Sequence, residues 1–193
     1  MFLREVLLQN IRAEGKVMTK SSKGQIQEDE MKILAELQNK SNENIETIAK
    51  RCGFSRQKVW RTIKQMEERH MIWGHTAIID QDKIDQKQFM MLIKRTNEPL
   101  DKKIIEKIDS IQLEDVAQPL GVTIESSCYV HGNYDWIISL TAEDINQAKT
   151  FCDRLNSEFP GAIATIDIQQ ILYFVRKHHI FNPDRKKLRD LME

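Results

Sequence analysis

The chain has little cysteine and no charge excess. Cys52, Cys128 and Cys152 are the only cysteines in 193 residues; they lie far apart, and no C-x-x-C occurs. An odd, scattered set argues against a disulfide framework, and the three read as buried thiols in a reducing cytoplasm. His178 and His179 are adjacent but stand beside a basic tail, a pattern of solvated surface more than of a metal site. No apolar run approaches the roughly 18 residues that a membrane span needs. The stretch Met1 to Leu8 is too short for a signal peptide and lacks a cleavage signal, which argues against secretion. Lys plus Arg and Asp plus Glu stand at 29 each. A neutral chain does not bind nucleic acid all over its surface, but a local basic patch is compatible with that balance. No nucleophile–base pair, phosphate loop or paired metal ligands occur at a recognisable spacing. No catalytic residue, metal or cofactor is therefore assigned, and the chain reads as a non-enzyme.

What the chain does have is concentrated between Asn44 and Glu67. Ile45, Ile48, Ala49 and Cys52 share one helical face, and Val59, Ile63 and Met66 share another. Between them Gly53 supplies the reversal, and Ser55 can accept from the free N–H groups that open the next helix. A small Ala49, then Gly53, then Val59 is the spacing of a helix-turn-helix, whose second helix can lie in a major groove. An ordinary helical hairpin has the same spacing. The charges favour DNA: Lys50, Arg51, Arg56, Lys58, Arg61 and Lys64 run with no acid until Glu67. With Val59, Ile63 and Met66 inward, Gln57, Arg61 and Lys64 point outward, suited to base edges and phosphates. The candidate DNA-contacting residues are Ser55, Arg56, Gln57, Lys58, Trp60, Arg61 and Lys64.

Around this motif, Phe2 to Ala13 can form an amphipathic helix, and Lys16 to Gln27 reads as a polar linker. Glu28 to Asn39 is a third helix, with its acids early, where they favour the helix dipole. Ile72 to Asp80 suits a short strand pair or an extended arm. Polar residues from Gln81 to Lys87 separate the two halves. Strands follow at Phe89–Ile93, Val122–Val130, Trp136–Thr141 and Ile163–Phe174, and helices at Leu100–Ile111 and Glu143–Phe159. The fold class is α+β: an N-terminal winged helix-turn-helix followed by a βαββαβ ferredoxin-like domain. That domain has both helices on one sheet face. The other face is left open, and burial against a second copy predicts a homodimer.

This order resembles the Lrp/AsnC family, the feast/famine regulators, over roughly Glu28 to Val175. The resemblance is carried by Asp29-x-x-x-Ile33-Leu34-x-x-Leu37, by Ile48-Ala49-x-x-x-Gly53-x-Ser55-x-x-x-Val59 and by Met66-Glu67 with Ile72-x-Gly74. It is carried also by Gly132-Asn133-Tyr134-Asp135, which looks like the family's G-x-Y-D turn. The chain departs from the family in having Thr62 where an arginine is usual and His70 where a glycine is usual; the basic tail after Phe174 has no clear counterpart. The resemblance implies a cytoplasmic transcription regulator that binds double-stranded DNA as a homodimer or larger homo-oligomer, with an amino acid or related metabolite as effector. By carry-over, Asn133, Tyr134 and Asp135 are the candidate effector residues, although Asp135 can equally serve as the cap of a hairpin turn.

The resulting division is an extension and linker over 1–27, a winged helix-turn-helix over 28–80, a dimerisation and effector-sensing domain over 88–176, and a basic tail over 177–193. Two other functions fit the same scaffold. One is a sirohaem decarboxylase-like enzyme, which would have arginines near the wing where this chain has Ile72-Trp73-Gly74-His75. The other is a metabolite-sensing module without DNA binding, against which the basic second helix argues.

Overall fold

The computed structural model describes residues 22–193, with side chains from Gly24 onward and without that of Asp109. The amphipathic helix expected over Phe2 to Ala13 lies outside the described residues. The chain divides between Ala77 and Ile78 into two compact units.

Among its described residues the first unit holds three helices: α1 (Ser22–Asn39), α2 (Ile45–Cys52) and α3 (Arg56–Glu68). Ile33 and Leu37 of α1, Ile48 and Ala49 of α2, and Val59 and Met66 of α3 form its buried core. Asn44 starts α2 by accepting from the Thr47 N–H at 2.8 Å. Gly53 ends it at φ +72, with the Phe54 N–H bonded to the Ala49 carbonyl and the Gly53 N–H to the Lys50 carbonyl. This pair of bonds is a Schellman motif, whose left-handed residue is strained for any side chain.

Two expectations change here. The described residues are helical from Ser22, so the polar linker does not reach Gln27; the Gln25 amide supports this extra turn by donating to Asp29 at 3.2 Å. The acids expected near its start consequently sit in mid-helix. Asp29 and Glu30 are only 7% and 5% exposed, and they pair with Lys58 and Arg69 at 2.5 and 2.7 Å instead of serving the helix dipole. Beyond α3, residues 73–80 form neither helix nor strand, so the arm alternative holds and the strand pair does not.

The second unit is built on a four-stranded antiparallel sheet in the order β2-β3-β1-β4: β1 (Lys87–Arg95), β2 (Thr123–Tyr129), β3 (Trp136–Ala142) and β4 (Ile163–Ile171). Between them run α4 (Lys102–Ser110), α5 (Leu113–Ala117) and α6 (Ile145–Glu158). The alternation of β1 sends Phe89, Met91 and Ile93 to the helix side, where they meet Ile138, Leu140, Phe151 and Leu155. In register with the residues between them, Met90 and Leu92 share the opposite side with Ser139, Ile137, Gln169 and Asp167, a face on which no helix packs among the described residues.

Helix α5 and a 3-10 turn at Gln118–Leu120 occupy the stretch before β2, which carried no element in the sequence reading. Leu113 and Ala117 are its only buried residues, too few for a helical period to stand out. Strand β4 stops at Ile171, short of Phe174, because the chain turns into a small hairpin of β5 (Arg176–Lys177) and β6 (Ile180–Phe181), followed by α7 (Lys186–Asp190). The cysteines also divide. Cys152 is buried beside Met91, with burial pushing its thiol up to about 12. Cys52 is half-buried, and Cys128 is exposed, correcting its reading as a buried thiol, because it shares with Ile137 the sheet face opposite the packed helices.

Candidate nucleic-acid interface and effector turn

Helix α3 is aimed by its two ends. The Ser55 hydroxyl accepts from the Lys58 N–H at 3.2 Å, so Ser55 acts on the backbone as the N-cap. At the other end the Met71 N–H bonds the Met66 carbonyl and the His70 N–H bonds the Glu67 carbonyl, a second Schellman motif with His70 at φ +56. Val59, Thr62 and Met66 face the core, and Ile63 is half-buried. The buried stripe is thus turned toward Thr62. An arginine, usual at that position in the resembling family, would have to leave this core, whereas threonine fits it.

Turning the helix this way exposes Arg56, Gln57, Trp60, Arg61 and Lys64. Their circumstances differ. Among the described residues, neither Arg56 nor Arg61 has an ion pair. Lys64 is bound to Glu67 at 2.7 Å, and this bond holds the Glu67 carboxyl below the usual carboxylate range. Lys58 turns back into its own unit: its ammonium reaches Asp29 and lies 4.0 Å from the centre of the Phe54 ring. It braces α3 against α1. The bond from Lys58 is the main reason the Asp29 carboxyl titrates below its ordinary range. The sequence offers no signal for this pairing, since Asp29 and Lys58 are 29 positions apart. On the arm after α3, Trp73 is 95% exposed and His75 lies 3.6 Å from Glu67.

In the second unit the Gly132–Asp135 turn connects β2 to β3. Asp135 is bound on three sides by backbone: its N–H donates to the Ile93 carbonyl, its carbonyl accepts from the Val130 N–H, and its carboxylate accepts from the Arg95 N–H at 2.8 Å. It fastens the turn to the end of β1. The Tyr134 hydroxyl donates to the Asp167 carboxylate of β4 at 2.6 Å, and that bond raises the tyrosine above its ordinary ionisation range. Asn133 is exposed. Two of the three turn residues thus already have partners within the unit.

A cavity of about 300 Å³ lies at the other end of the sheet, roughly 20 Å along β1 from the turn at its usual rise per residue. Asp82, Gln88, Ile171, Phe174, Lys177 and Phe181 help to line it. Its polar groups are largely matched: Lys177 bonds Glu125 at 3.0 Å, Gln88 donates to Glu125, and Lys187 pairs with Asp82. Among the described residues no group of three His, Cys, Asp or Glu is placed to hold a metal ion, and no helix is long and apolar enough to cross a membrane.

These geometries agree with what the chain resembles. A family model described as winged helix-turn-helix DNA-binding matches residues 30–72. No curated protein matches the chain. Among solved structures, PH0061 is 22% identical, with a TM-score of 0.62, covering 84% of this chain and 100% of its own. An AsnC family transcriptional regulator from Agrobacterium tumefaciens is 20% identical, with a TM-score of 0.58 over 81% of this chain and 96% of its own. The transcriptional regulator NMB0573 from Neisseria meningitidis, solved as a complex with L-Met, is 16% identical, with a TM-score of 0.59 over 82% and 97%. The chain therefore carries a winged helix-turn-helix domain ahead of a four-stranded antiparallel sheet domain, and has the fold of the AsnC-family regulators.

Proposed function

We propose that the protein is a sequence-specific transcription regulator of the Lrp/AsnC type, a cytoplasmic non-enzyme that binds double-stranded DNA. The observation that carries this is helix α3. It is capped at both ends and braced by Lys58, and it exposes Gln57, Trp60 and two arginines that have no ion pair among the described residues. Arginine is the commonest specific reader of guanine, and glutamine pairs with adenine through the same groove. Arg56, Gln57, Trp60, Arg61 and Lys64 are the proposed contacts. Ser55 and Lys58 belong to the support of the helix.

The sheet face carrying Met90, Leu92 and Ile137 is the proposed seat of a second copy, which makes the protein a homodimer or larger. The L-Met complex of the Neisseria meningitidis regulator supports an amino acid as effector, with Asn133, Tyr134 and Asp135 as its proposed neighbours. Selection of binding sites from a random duplex pool, followed by titration with and without each of the twenty amino acids, tests both parts. The expected result is enrichment of a two-fold symmetric sequence whose affinity changes with the amino acid. A pool that stays random after selection would sink the regulator reading. Affinity unmoved by any of the twenty amino acids would remove the effector.

A further inference from the structure

The C-terminal hairpin and α7 carry the strongest charge bias in the second unit. Residues 176–190 hold six Lys or Arg against two acids, in a chain whose total charge is zero, so the remainder carries the balancing excess of acids. The cations fall into two sets. Lys177 and Lys187 are turned inward and fasten the segment to the unit, Lys177 through Glu125 and Lys187 through Asp82. The hairpin is held further by the Tyr173 hydroxyl on the Asp184 carbonyl at 2.8 Å and by the Asn182 N–H on the Val175 carbonyl. The second set, Arg176, Arg185, Lys186 and Arg189, is exposed, and none of the four has an ion pair among the described residues. The Arg176 guanidinium lies over the Phe181 ring, 3.9 Å from its centre, and the residue is exposed.

A fastened segment that presents exposed cations without ion pairs among the described residues, three of them arginine, suits a phosphate-bearing partner. Arginine binds phosphate in a fork, and a preorganised cation loses less freedom on binding than one on a loose tail. We infer that the 176–190 segment is a second, sequence-independent DNA-binding surface, which grips the phosphate backbone of duplex flanking the site read by α3. This rests on the DNA-binding reading given above. A second weak site on the same molecule binds at high effective concentration once the first is engaged, so a few phosphate contacts suffice to change the affinity measurably.

The test compares the full chain with R185Q/K186Q/R189Q on one long duplex containing the selected site, over a salt series. Each lost phosphate contact makes the plot of log affinity against log salt shallower by about 0.9, so the triple variant should flatten it by about two to three. Its affinity near 0.1 M salt should fall at least about tenfold, and R185K/R189K, which keeps both charges, should stay near wild type. On a short duplex trimmed to the selected site the difference should shrink. Equal slope and affinity for wild type and R185Q/K186Q/R189Q, while R61A still weakens binding to the selected site, would overturn this inference and leave the regulator reading standing. A wild-type chain that binds no duplex overturns both. Charge-dependent binding of the segment to anionic phospholipid vesicles, with no change in the duplex slope, would assign it to a membrane surface and overturn it as well.

Discussion

Helix α3 and the Gly132–Asp135 turn were both marked by the resemblance, yet their side chains are in opposite states. Arg56 and Arg61 project from a capped helix with no ion pair among the described residues. Asp135 and Tyr134 are already bonded, the first to the Arg95 N–H and the second to Asp167. An exposed cation without a partner adds little to folding, so its worth lies in what it meets outside. A carboxylate that accepts a backbone N–H at a strand end has a structural reason to be there, whatever else it does. The contrast separates residues available to a ligand from residues that a ligand would have to take from the fold.

The widest separation should come from substituting each kind. Arg61→Ala should weaken binding to the selected duplex by about 1–3 kcal/mol, roughly five- to 150-fold, and leave the thermal midpoint within error. Calorimetric unfolding and a binding titration on the same sample check both halves. Asp135→Ala should do the reverse: it removes the acceptor from the Arg95 N–H and should cost the second unit about 1–2 kcal/mol. Asp135→Asn keeps a carbonyl acceptor and should recover most of that stability. If Asp135→Asn is as stable as wild type yet has lost its response to an amino acid, the turn binds a ligand through its charge, and the contrast drawn above fails at that residue.

The resemblance was legible because its carriers are local. The Ala49–Gly53–Val59 spacing and the Ser55 cap each span a few residues, the four strands and the longer helices each carry their own period, and the structure returns these. What was not legible depends on distance in the chain. Lys58 was marked as a DNA contact because nothing within four positions competes for it; its pairing with Asp29, which comes from another helix, was not legible. The inward tilt toward Thr62 follows from packing against α1 and α2, which a helical wheel drawn on Val59, Ile63 and Met66 cannot supply. Helix α5 was missed because it is five residues long and buries only two. The hairpin after β4 was missed because two-residue strands have no period at all.

Lys58 sharpens the comparison from inside α3 itself. Lys58→Ala should cost the first unit about 1 kcal/mol, because Asp29 then lies mostly buried without its main partner. Its loss of duplex affinity should be smaller than that of Arg61→Ala. A larger loss would return Lys58 to the DNA surface. The same pair gives a pH dependence. The Asp29 carboxyl is held low by Lys58, and Glu158 is held low by Lys107 in the second unit. Groups depressed in the folded state stabilise fully above their unfolded values, near 4, and lose that contribution as pH falls through the folded values. Unfolding midpoints followed from pH 6 down to pH 2 should therefore fall on the acid side, and the acid loss in the first unit should be smaller in Lys58→Ala than in wild type.

The smallest effect concerns the two helix ends that frame the motif. Both are Schellman motifs with the same pair of backbone bonds, and both place one residue in left-handed backbone: Gly53 at φ +72 after α2 and His70 at φ +56 after α3. The first has the residue that this conformation suits; the second does not. A Cβ placed on Gly53 would meet nothing within 4 Å, so Gly53→Ala tests the backbone alone, without steric crowding. Left-handed backbone costs a side chain about 1–2 kcal/mol, and glycine gives back part of that through its freer unfolded chain. Gly53→Ala should therefore destabilise the first unit by about 1 kcal/mol, and His70→Gly should stabilise it by about 0.5–1 kcal/mol. Denaturant unfolding of the two variants and of the double variant resolves differences of this size. If His70→Gly is neutral or destabilising, the imidazole makes a compensating contact, and the two ends are alike in backbone only.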